Sequence, residues 1–75
     1  VLKARNGLLY VSDWADRRVL VVDPASLQTV AKISVGEHPN QLALHPEDDR
    51  LFVACASSNA VYVIDTKQGA VQETI

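Results

Sequence analysis

Apolar positions recur with period two through Leu8–Ser12, where Leu9 and Val11 fall on one side and Leu8, Tyr10 and Ser12 on the other. That period predicts a strand, and Asn6-Gly7 just before it is a strong turn dipeptide. The polar stretch Asp13–Arg17, with the single large aromatic Trp14, reads as a connection. Arg18–Asp23 is then apolar on both sides, short and β-branched, and Asp23-Pro24 stops it, so a second strand is predicted rather than a helix. Pro24–Leu27 predicts a hairpin-like turn, and Gln28–Val35 an outer strand in which Val30 alternates with Lys32. Gly36–Asn40 is the longest polar interruption. Gln41–His45 follows as a short strand, with Leu42 and Leu44 on one side and Ala43 on the other.

After the turn Pro46–Asp49 the pattern starts again. Sliding the chain by about 42 positions lays Leu9 on Leu51, Val11 on Val53, Val19 on Val61, Val21 on Val63, Asp23 on Asp65 and Ile33 on Ile75. Leu2 falls on Leu44, so the counterpart of Pro39–Ala43 is nearly missing at the start. Two units are expected: residues 1–38, lacking most of the innermost strand, and residues 39–75. Four short antiparallel strands in a repeat of this length predict an all-β, partial β-propeller of about two blades. Val19–Val22 and Val61–Ile64 are apolar at every position, so each strand wants a sheet on both flanks. An open sandwich, with one wet face per strand, does not fit them.

Charge narrows the partners. A formal net charge of −2 and a pI near 5.5 leave no basic face for nucleic acid. The longest apolar runs fall far short of the roughly 20 residues that span a bilayer. A single cysteine closes no internal disulfide. The chain opens on Val1, contains no Met and begins partway through a repeat, and it reads as a piece of a longer protein.

The phrases Leu9-Tyr10-Val11-Ser12-Asp13, Val19-Leu20-Val21-Val22-Asp23 and Ile33-Ser34-Val35-Gly36-Glu37-His38-Pro39 resemble the YVTN-type β-propeller repeat. Leu51-Phe52-Val53-Ala54-Cys55 and Val61-Tyr62-Val63-Ile64-Asp65 repeat the likeness. The departures are Ala54-Cys55, where the family prefers Thr-Asn, and the bulky Trp14. Val35–Asn40 followed by Leu51–Val61 is similar, more narrowly, to the YncE-like propellers of bacterial envelope proteins. The resemblance implies a ring that is usually seven-bladed, secreted or periplasmic, and binding rather than catalytic. Some of these propellers are fused to an alkaline-phosphatase-like phosphoesterase domain.

Successive turns of an antiparallel blade alternate ends, so Asp13–Arg17, Gly36–Asn40 and Cys55–Asn59 are expected on one face. That face gathers Asp13, Trp14, Asp16, Arg17, His38, Asn40, Ser57, Ser58 and Asn59. Loops on a rigid scaffold are where binding groups sit. Asp13, Trp14, Arg17, His38, Asn40, Ser58 and Asn59 are therefore the candidate ligand-binding residues.

His38, near Asn40 and Asp13, reads either as a solvated loop histidine or as one contributor to a metal or proton-transfer site needing ligands from further blades. Trp14 reads either as a recognition aromatic or as cover for the seam between blades, packing being preferred. Asp23 and Asp65 are expected to cap their turns, and Cys55 to be an inert buried hydrophobe. His45 is read as structural, and Glu47-Asp48-Asp49 as a solvated turn. No catalytic, metal or cofactor site is expected within these residues.

The expected function is a non-catalytic binding or scaffold module whose partners are a protein or small molecule, such as a peptidoglycan-derived one, and the remaining blades of a parent chain. The alternatives are part of a lactonase-like propeller hydrolase, or an accessory domain of a phosphoesterase. Terminal blades with uncovered apolar faces are expected to self-associate.

Overall fold

Asn6-Gly7 turns the chain between β1 (Leu2–Lys3) and β2 (Leu9–Asp13) in the computed structural model, which describes residues 1–75. Asn6 Oδ1 accepts the Leu8 N–H at 3.0 Å, and Gly7 takes φ +86°, which a glycine supplies without steric penalty. The two-faced strands follow as β3 (Arg18–Asp23) and β7 (Ala60–Asp65), and the outer strands as β4 (Gln28–Ser34) and β8 (Ala70–Thr74). β5 (Pro39–Leu44) and β6 (Arg50–Cys55) complete the set. The chain has no helix, and forms two four-stranded antiparallel sheets of order β1-β2-β3-β4 and β5-β6-β7-β8. This is the all-β blade architecture that the repeat predicts.

The two copies match in register as well as in sequence. Val21 pairs with Ala31 where Val63 pairs with Glu73, and both ladders shift at the same place, between Val21 and Val22 and between Val63 and Ile64. Asp23 and Asp65 cap the outer turns as expected. Asp23 Oδ1 accepts the Ala25 N–H and Asp65 Oδ1 the Lys67 N–H, each at 2.9 Å.

The innermost strands correct the sequence alignment. Leu2 pairs with Tyr10 whereas Ala43 pairs with Phe52, so Leu2 occupies the place of Ala43 and not that of Leu44. Lys3 pairs with Leu9 where Leu44 pairs with Leu51, so the chain between paired positions is one residue shorter in the first sheet, which slides β1 along its partner. A one-residue slip exchanges the two faces of a strand. β5 also starts earlier than expected, at Pro39, with an irregularity between Pro39 and Gln41.

Directly paired residues share a face of a sheet. Tyr10, Val19, Val21 and Ile33 therefore form one face of the first sheet, its front, and they pack on Leu51, Val53, Cys55 and Ile64, the back of the second sheet. All eight are buried. Full burial of one such side chain contributes about 1.5–3 kcal/mol, so this seam is the core. Each sheet packs on the other by one flank, and on the second sheet's other flank Val63 is buried as well. Leu9, Val11, Leu20 and Val22 on the back of the first sheet, and Phe52, Ala54 and Val61 on the front of the second, stay half-buried. Polar contacts close the end of the seam at the inner turns. Thr66 donates its backbone N–H and its hydroxyl to the Asp49 carbonyl at 2.8 and 3.1 Å, and its own carbonyl accepts from Asn6 Nδ2 at 3.4 Å.

Candidate functional site

The linker from the first sheet to the second, residues 35–38, is held between the two polar loops predicted to share its face. Val35 donates its N–H to the Arg17 carbonyl at 2.9 Å, Ala56 donates to the His38 carbonyl at 3.1 Å, and the Glu37 N–H reaches Ser58 Oγ at 2.7 Å. Gly36 is required by the tight approach. A Cβ there would lie 2.6 Å from Ser58 Oγ and 2.8 Å from Tyr62 Cε1.

This clamp sets the backbone of His38 in the left-handed region, at φ +52°. Its ring then stacks on Trp14, with centroids 3.9 Å apart and planes 15° from parallel. His38 Nδ1 is bonded to Ser57 Oγ, which fixes the ring from the second sheet while Trp14 holds it from the first. Trp14 keeps 56% of its surface exposed, so it both bridges the seam and presents an open aromatic surface. Arg17 and Glu37 approach to 3.4 Å beside it. Both are exposed, and such a pair contributes at most about 1 kcal/mol. It leaves a cation and a carboxylate at the solvent.

The candidate residues divide. Trp14, Arg17, His38 and Ser58 come together around the linker. Asn40 and Asn59 instead line a shallow cleft of about 300 Å³ on the open front of the second sheet, with Gln41, Ala54 and Val61. Asp13 goes elsewhere: it lies at the end of β2, where its carboxylate takes the Arg18 Nε–H at 2.9 Å. Arg18 thus engages Asp13, and Ser57 engages His38, within the chain. No group of three or more His, Cys, Asp or Glu side chains is placed to hold a metal ion. Glu37 was not singled out in the sequence. Its signal was its position in the linker, opposite the exposed cation Arg17.

Cys55 is buried within the seam, and burial pushes its thiol above the usual value, partly offset by a backbone hydrogen bond at Gly36. A protonated thiol packed among valines is a poor nucleophile. At the opposite end of the blade, Asp48 takes Arg50 at 2.7 Å, and hydrogen bonding from that guanidinium, joined by its charge and that of nearby His45, holds the carboxyl below its usual range.

Comparison with known proteins accords with this architecture. Residues 3–75 match the family described as YNCE-like beta-propeller. Antigen Lp49 of Leptospira interrogans (serogroup Icterohaemorrhagiae serovar copenhageni, strain Fiocruz L1-130) is 32% identical over 79 residues, covering 87% of this chain and 17% of that protein. Kuenenia stuttgartiensis hydrazine synthase shares the fold with a TM-score of 0.83 at 24% identity, over 89% of this chain and 19% of that one. The chain thus spans less than a fifth of either relative.

Proposed function

Because the chain belongs to the YNCE-like beta-propeller family, we propose that it is a non-catalytic binding or scaffold module of a secreted or periplasmic bacterial protein. The observation that carries this reading is the stack of Trp14 on His38, braced by Ser57 across the seam and flanked by Arg17 and Glu37. A half-open aromatic held rigidly beside one positive and one negative group offers contact area and directional polar contacts without an ordering cost on binding. In this reading the Ser57 hydroxyl on His38 Nδ1 braces the ring, and the open Trp14 face with Arg17 and Glu37 makes the contacts to a partner. The partner in this reading is a protein segment or a small molecule such as a peptidoglycan-derived saccharide. Further blades of a longer chain would complete the ring and extend the loop face.

Trp14 is the sole tryptophan, so its emission reports on this site alone. Titrating peptides and peptidoglycan-derived saccharides is expected to shift or quench that emission, and His38→Ala or Arg17→Ala to weaken the response. Binding by calorimetry that survives Trp14→Ala unchanged would overturn the reading.

A further inference from the structure

We propose that Asn6 is a site of spontaneous deamidation that the fold holds in check, so that the reaction runs from opened states of the β1–β2 turn and leaves a carboxylate that loosens the seam. Asn6-Gly7 is the only asparagine-glycine step in the chain, since Asn40 precedes Gln41 and Asn59 precedes Ala60. In such a step the glycine nitrogen has no Cβ beside it to shield it, and the backbone can swing toward the asparagine side chain. The space where a Gly7 Cβ would sit is empty and Asn6 is exposed, so water and base reach the pair.

The reaction needs only water as co-reactant. The Gly7 nitrogen attacks Asn6 Cγ to close a cyclic succinimide, the bond from Cγ to Nδ2 breaks, and ammonia leaves with the proton of the Gly7 N–H. Water then opens the ring at one carbonyl or the other, giving aspartate or β-linked isoaspartate at position 6. The folded turn engages each group that these steps must free. The Gly7 N–H donates to the Ala4 carbonyl at 2.9 Å, which holds the proton that the attacking nitrogen must shed. Asn6 Oδ1 accepts the Leu8 N–H at 3.0 Å, while Nδ2, the leaving nitrogen, donates to Tyr10 Oη at 3.2 Å and to the Thr66 carbonyl at 3.4 Å. Tyr10 and Thr66 are both buried, so the amide is anchored on the first sheet and on the turn that follows β7. Attack requires these bonds to break, and the turn must therefore open first.

The product does not restore the lost contacts. A carboxylate accepts hydrogen bonds and donates none, so it can take the Leu8 N–H and the Tyr10 hydroxyl but has nothing to give the Thr66 carbonyl. Isoaspartate also adds a carbon to the main chain, in a turn whose strands are set by the pairing of Lys3 with Leu9. The tie from the first inner turn to the second sheet is broken, and refolding does not remake it. The site lies at the end of the blades opposite the Trp14 stack, so the proposal stands apart from the binding reading.

The test is peptide mapping by mass spectrometry of the full chain after incubation at mildly alkaline pH, with and without urea. Conversion at position 6 is expected to be at least about tenfold slower without urea. Tyr10→Phe keeps the buried ring and removes one acceptor of Nδ2. With circular dichroism showing that the strands persist, it is expected to speed the folded-state reaction about two- to tenfold and to leave the rate in urea unchanged. Asn6→Asp installs the carboxylate of the product and is expected to lower the melting temperature by about 4–8 °C. Equal rates with and without urea, no conversion in urea, a folded-state rate indifferent to Tyr10→Phe, or an Asn6→Asp chain that melts with the parent would each overturn the proposal.

Discussion

The two sheets share one backbone plan and differ at the same rung of their β2 and β6 strands. At that rung the first sheet carries Asp13 paired across to Arg18, joined at 2.9 Å and half-buried. The second carries Cys55 paired across to Ala60, and Cys55 is 2% exposed because the first sheet lies over it. The register is indifferent to this exchange, since main-chain ladders do not read side chains. Burial is not. A position tolerates an ion pair where water reaches it and requires a small apolar pair where a neighbouring sheet closes over it.

The largest effect should come from copying the first sheet into the second at this rung. Cys55→Asp places a carboxylate in the seam opposite Ala60, with no guanidinium to meet it, and should cost about 3–5 kcal/mol. The reverse change, Asp13→Cys, should cost under about 1 kcal/mol, since it removes a solvent-screened pair. Denaturant midpoints of the two variants measure the difference directly. Similar losses at both rungs would mean that the seam does not shield Cys55 from water.

A smaller effect is expected at the outer turns, where the sheets differ in one residue at one conformation. Leu27 has φ +60° and is 77% exposed, while its counterpart Gly69 has φ +68° with nothing near its absent Cβ. A non-glycine residue in the left-handed region costs about 1–2 kcal/mol, offset in part by the greater unfolded-state freedom of glycine. Leu27→Gly should therefore raise stability by up to about 1 kcal/mol, and Gly69→Leu lower it by a similar amount. Thermal melts of the pair read opposite signs if the turn conformations are equivalent.

The strands were legible because alternation and repetition are local and are stated twice; β7 runs from Ala60 to Asp65 as the pattern predicts. The place of Leu2 was not legible, because apolar alternation does not record that the turn after β1 is one residue short. At the site, the sequence placed Trp14, Arg17, His38 and Ser58 on one face. Asp13 stands at the same end, at the close of β2, and its partner Arg18 follows from strand pairing rather than from loop proximity. The stack of Trp14 on His38 was illegible for a further reason. It depends on a left-handed backbone at His38 that contacts from both sheets impose, and no residue type announces it.

The smallest difference lies in the inner turns, which fold alike by different chemistry. In the first sheet Ala4 donates its N–H to the Leu8 carbonyl at 2.9 Å across the neutral Asn6-Gly7. In the second, His45 makes the equivalent bond to the Arg50 carbonyl at 2.9 Å, across a turn tied by Asp48 to Arg50. The Asp48 carboxyl has its folded value lowered from 3.8, chiefly by the hydrogen bond from Arg50. A lowered folded value means that the carboxylate supports the turn above pH 3.8 and that this support is lost as pH falls through the folded value. Amide protection at His45 should therefore fall below pH 3.8 while protection at Ala4 holds. Asp48→Asn should give His45 a lower protection with the acid dependence removed. Because the side chains are at the surface, the change should be confined to this turn and leave the seam amides of Val53 and Ile64 untouched. A parallel fall at Ala4 and His45 would mean that acid acts on the seam as a whole and not on the ionic turn.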